Sequence, residues 1–64
     1  MKPDWKDAPE WANYLAMDAD GSWYWFGKEP IAHDTFWSSP YDFNDMQADI
    51  DTSNWRGTLE QRPE

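Results

Sequence analysis

Thirteen carboxylates and one histidine are the side chains of this 64-residue chain that could do chemistry. A pair of Asp or Glu residues can hydrolyse a glycoside, one as acid and the other as nucleophile or base. Such a pair needs a deep cleft to hold the sugar, and a chain this short has little volume for one. His33 precedes Asp34, a pairing that can orient an imidazole for acid–base work. No nucleophile or second base is identifiable beside it, so an exposed loop histidine is the simpler reading. The stretch Asp18-Ala19-Asp20-Gly21-Ser22 has part of the spacing of a calcium loop. With Gly21 as the loop glycine, Asp18 and Asp20 fall on ligand positions, but Ala16 and Gly27 occupy the first and last ones, where acids are required. A tight turn fits better. There is no Cys, and a lone His makes no zinc site. The residues imply no catalytic, cofactor-binding or metal-binding group, and a protein that is not an enzyme.

The acids are unevenly placed. The formal net charge is −8. Six acids and no Lys or Arg lie in residues 29–55, whereas the three lysines relieve the acids of residues 1–28. This balance argues against direct nucleic-acid binding, which needs a basic face, and against anionic membrane surfaces. No apolar run approaches the ~18 residues of a membrane span, and the opening residues carry no apolar signal stretch. A cytoplasmic location is the expectation. The acidic segment is either a solvated face or a mimic of nucleic acid, with carboxylates that occupy the basic groove of a nucleic-acid-binding protein. In the second case Asp34, Asp42, Asp45, Asp49 and Asp51 are the partner-binding acids, with Tyr41 and Phe43 as apolar anchors among them.

These residues must be held by a fold with few aliphatics. There is no Val, and Leu15, Leu59, Ile31, Ile50 and the methionines Met1, Met17 and Met46 stand beside twelve aromatics. The aromatics must therefore form most of the core. Asp7 as N-cap with Glu10 three residues on, and Trp11 four before Leu15, predict a helix over residues 8–18, ended by Gly21. The string Ser22-Trp23-Tyr24-Trp25-Phe26-Gly27-Lys28 predicts a strand, and residues 34–39 a second strand antiparallel to it. Residues 41–50 fit strand or helix, and residues 53–63 a third strand or a short helical turn. Trp5-Lys6 with Glu10 is echoed by Trp55-Arg56 with Glu60, too little for a repeat. The expected architecture is α+β: a single compact domain over residues 1–64, with one N-terminal helix packed on a small antiparallel sheet of about three strands. Trp11, Leu15, Trp23, Trp25, Trp37 and Trp55 are the expected core. The strand over residues 22–28 carries aromatics on both faces, so either residues 41–64 wrap over the second face or it is open for binding. Trp23, Trp25 and Trp37 could also stack on sugar rings, which makes carbohydrate binding a further alternative.

Three strings carry a resemblance: Ala8-Pro9-Glu10-Trp11-Ala12, Asp18-Ala19-Asp20-Gly21, and Trp23-Tyr24-Trp25-Phe26 followed by Glu29-Pro30. Together with the ending over residues 54–63, they resemble small Trp-rich acidic proteins of tailed phages and prophages, whose function is mostly unassigned. Where such proteins have an acidic residue and Ser, this chain has Gly57 and Thr58. The resemblance covers residues 5–30 and 54–63, and it brings no catalytic residue with it. It implies an accessory protein acting inside a bacterial host by binding and occluding a host protein, nucleic-acid-binding ones included. The runner-up is a structural phage protein that self-associates into a homo-oligomer through exposed rings such as Tyr24 or Phe26.

Overall fold

Between Asn13 and Asp18 the chain reads Tyr-Leu-Ala-Met, apolar at every position. Such a run suits a strand covered on both faces. In the computed structural model, which describes residues 2–63, Tyr14–Met17 is strand β1. Met1, one of the methionines counted for packing, lies outside the described residues, as does Glu64. Strand β2, Ser22–Phe26, follows through a tight turn and pairs antiparallel with β1, Leu15 opposite Trp25 and Met17 opposite Trp23. Register then sorts the side chains. Leu15, Met17, Trp23 and Trp25 share one face, and Tyr14, Ala16, Tyr24 and Phe26 share the other.

The helix expected over residues 8–18 does not form, and the α+β class is corrected to a small all-β domain. Among the described residues the helical pieces are two 3-10 turns, Trp5–Asp7 and Trp55–Thr58. Asp4, not Asp7, caps the first, accepting the Lys6 N–H at 3.0 Å. The four-residue spacing of Trp11 and Leu15 misled because both faces of β1 are buried. Alternation is invisible where neither face is polar, and Leu15 and Ala16 are both fully buried. The two tryptophans of the sequence echo each open one of the 3-10 turns.

Strands β3, Ile31–Ala32, and β4, Trp37–Ser38, form a separate two-stranded sheet. Strand β5, Asp42–Ala48, and strand β6, Glu60–Gln61, complete the main sheet in the order β5-β2-β1-β6. The expected pairing of residues 34–39 with β2 is thus also corrected. β5 takes that place, so residues 42–48 of the ambiguous stretch 41–50 are strand, and the β3–β4 hairpin folds over the sheet instead. Trp37 holds it there. Its ring packs with Ala16 and Phe26, its indole N–H donates to the Met17 carbonyl at 3.0 Å, and its backbone N–H donates to Asp18 Oδ1 at 2.9 Å. The opposite face is covered by residues Trp5, Ala8, Trp11 and Ala12, with Trp5 meeting Trp25 edge-on at 4.9 Å. Trp55 packs against both clusters. Of the expected core, Leu15, Trp23, Trp25 and Trp37 are buried, while Trp11 and Trp55 are partly buried and pack against it. The second aromatic face is covered as well, with Phe26 fully buried.

Candidate functional site

A core built from tryptophans has one recurrent electrostatic problem. Each buried indole carries an N–H that must find an acceptor. A backbone carbonyl answers it for Trp37, and acids answer it for Trp5, Trp23 and Trp25. Phe43 on β5 lies opposite Trp25, so Asp45, two residues on, projects to the face of the Trp25 ring. Its Oδ2 accepts the Trp25 indole N–H at 2.6 Å, and its Oδ1 accepts from Gln47 Nε2 at 2.9 Å. Asp49 Oδ2 accepts the Trp23 indole N–H at 2.9 Å. Glu60 accepts from the Trp5 indole and from Lys2 Nζ. The Lys2 ammonium holds the Glu60 carboxyl below the usual range against its desolvation, and the Trp5 indole adds to the lowering.

The expected partner-binding residues therefore divide. Asp45 and Asp49 turn their carboxylates onto core indoles. Asp34 is exposed in the β3–β4 turn, on the other sheet. Asp51 is exposed, and the Ser53 N–H and hydroxyl hold its carboxyl below the usual range. Tyr41, Asp42 and Phe43 remain together, at the start of β5. Asp42 is exposed on the face of Asn44, opposite that of Phe43. The five acids do not make one continuous array.

Four large apolar side chains in and beside β5 are exposed, and the sequence singles out only Tyr41 and Phe43 among them. Tyr41 and Phe43 are each 55 % exposed, Met46 is 87 % exposed and Ile50 fully so. The Tyr41 ring rests on Trp11 at 4.5 Å. Met46 marks a bulge. Ser22 pairs with Ala48 and Tyr24 with Asn44, so three residues of β5 stand against Trp23 alone. Met46 has a φ of 71°, and its N–H donates to Asn44 Oδ1 at 3.0 Å. Among the described residues β5 is an edge strand, paired with β2 on one side.

The other candidates are accounted for locally. In the Asp18–Ser22 turn Gly21 has a φ of 92°, Asp20 Oδ1 accepts the Ser22 N–H, and the Asp18 N–H donates to the Ser22 carbonyl. Burial pushes the Asp18 carboxyl up, against the lowering effect of the Trp37 N–H, and Asp20 and Asp42 push it further. His33 is exposed, stacks on Phe36 at 4.7 Å and shares a hydrogen bond with Ser38 Oγ. Trp23 and Trp25 lie on one face of the sheet and Trp37 covers the other, all three buried, so they form no common stacking platform. A groove of about 500 Å³ runs past Asn13, Lys28 and Arg62. Its guanidinium is occupied, because Arg62 Nη1 donates to the carbonyls of Pro9 and Ala12.

Comparison with protein-family models, with curated proteins and with solved structures gives no match for this chain. Among the described residues no helix is long and apolar enough to cross a membrane.

Proposed function

We propose that the chain is a non-enzymatic protein-binding module that occludes a basic surface of its partner with the β5 side of the sheet. The observation that carries this reading is the exposure of Tyr41, Phe43, Met46 and Ile50, in and beside β5, within a segment with six acids and no Lys or Arg. Large apolar side chains left exposed mark an interaction surface when they adjoin, as Tyr41 and Phe43 do on one face. The surrounding negative charge selects and steers a cationic partner. Asp42 is the acid best placed to meet it, since Asp45 and Asp49 already accept hydrogen bonds from the core. The resemblance to small phage proteins supports a bacterial host protein as the partner, one whose basic groove otherwise takes nucleic acid, and the host cytoplasm as the place of action.

The test is capture from bacterial lysate at low and high salt, beside sedimentation of the pure protein. Retention of a basic protein at low salt, released at high salt and lost in Asp42→Lys and Phe43→Ser, is the expected result. A concentration-dependent oligomer that retains nothing in a salt-sensitive way overturns the proposal and favours self-association.

A further inference from the structure

We infer that the free edge of β5 receives an extended segment of the partner by strand addition, and that this segment alternates Lys or Arg with apolar residues. The inference rests on the proposed protein-binding reading and specifies how it is carried out.

The backbone supplies the first part of the argument. Gly27 N–H donates to the Tyr41 carbonyl at 3.1 Å, which makes that pair a hydrogen-bonded one. In an antiparallel ladder such pairs alternate, so Phe43, opposite Trp25, is the next. The N–H and C=O groups of Asp42 and Asn44 consequently point away from β2, along the outer edge. No strand neighbours β5 there among the described residues. The bulge at Met46 ends the regular edge, so the open ladder is short, spanning Asp42 to Asn44.

Side chains supply the second part. A residue added opposite Asp42 shares the face of its exposed carboxylate, where a cationic side chain fits. Residues added on either side of it share the face of Tyr41 and Phe43, where apolar side chains extend the half-exposed rings. Alternation of basic and apolar residues follows from the pleat. Charge also decides against a second copy as occupant. Two chains of net charge −8 would bring Asp42 against an equally acidic edge.

The probe is a short end-capped peptide of alternating Lys and Val, with a control N-methylated on the residues whose N–H groups would face β5. The readout is amide hydrogen exchange of the intact protein by NMR. Strand addition slows exchange at Asp42 and Asn44 by about tenfold or more, and the N-methylated peptide fails to do so. Equal binding by both peptides without that protection sinks strand addition while leaving a side-chain-mediated occlusion standing. Absence of binding by the Lys–Val peptide also overturns the inference, whereas the lysate experiment judges the broader proposal separately. Protection of the same amides in the peptide-free protein, rising with concentration, identifies a second copy as occupant and refutes the inference.

Discussion

The Trp25–Asp45 contact makes the sharpest prediction. Trp25 is fully buried, and its indole N–H has Asp45 Oδ2 as acceptor at 2.6 Å. Asp45→Ala removes the acceptor and leaves the donor stranded. A buried donor deprived of a charged partner costs about 2 kcal/mol. In a domain of this size each kcal/mol lowers Tm by about 4–8 °C, so the expected drop is about 8–16 °C. Asp45→Asn keeps a carbonyl oxygen in place and should cost about half as much. Thermal melting gives the magnitude, and solvent exchange of the Trp25 indole N–H, followed by NMR, gives the cause. If Asp45→Ala melts with the wild type and its indole exchanges no faster, the hydrogen bond does not support the core and the reasoning fails. The result also bears on binding experiments. A partner lost on Asp45 substitution reports folding, while Asp42, exposed and free of such a contact, reports the surface.

Other perturbations follow from the same geometry. Gly21→Ala places a Cβ 2.2 Å from the Asp49 carbonyl at a φ of 92°, and should cost about 1–3 kcal/mol in chemical denaturation. The depressed Glu60 pKa means that its contribution is complete above the unfolded value near 4.5 and is lost as pH falls through the lower folded value. The Tm of Glu60→Gln, measured by thermal melting, should accordingly fall less steeply with pH in acid than that of the wild type. Asp18 carries the opposite sign, because its folded pKa is raised and ionisation at neutral pH opposes folding. Asp18→Asn should therefore raise Tm at neutral pH and leave it unchanged in acid; a lower Tm at neutral pH would show that the Trp37 N–H depends on the charge.

What the residues disclosed depended on whether a pattern survives two-sided burial. β2 was legible because its aromatics are dense and β-favouring, and the turn at Gly21 because only a glycine suits that backbone. β1 was not, because Leu15 and Met17 face one cluster while Tyr14 and Ala16 face the other, and nothing polar alternates between them. The partner of β2 was misassigned because sequence proximity favoured residues 34–39, whereas Trp37 sits in the second sheet and packs on Ala16 and Phe26. The acids of the candidate site were visible as charge, but their division was not. A signal existed: tryptophans at 23 and 25 share a face and need acceptors, and Asp45 and Asp49 sit where the adjacent strand can supply them. Met46 and Ile50, counted among the few aliphatic side chains that could pack, are exposed: Met46 stands in the bulge and Ile50 lies past the end of β5.

The strand order β5-β2-β1-β6 also sets the sequence in which this domain can assemble. Within the main sheet, among the described residues, β1 and β2 alone meet through a tight turn; β5 reaches β2 after the whole β3–β4 excursion, and β6 joins β1 from the far end of the chain. Loop closure favours the near pair first. The β1–β2 hairpin is then the expected nucleus, and substitutions at Leu15 or Trp25 should slow refolding. Losses at Glu60 or Phe43 should instead quicken unfolding, since the outer strands are added last and leave first.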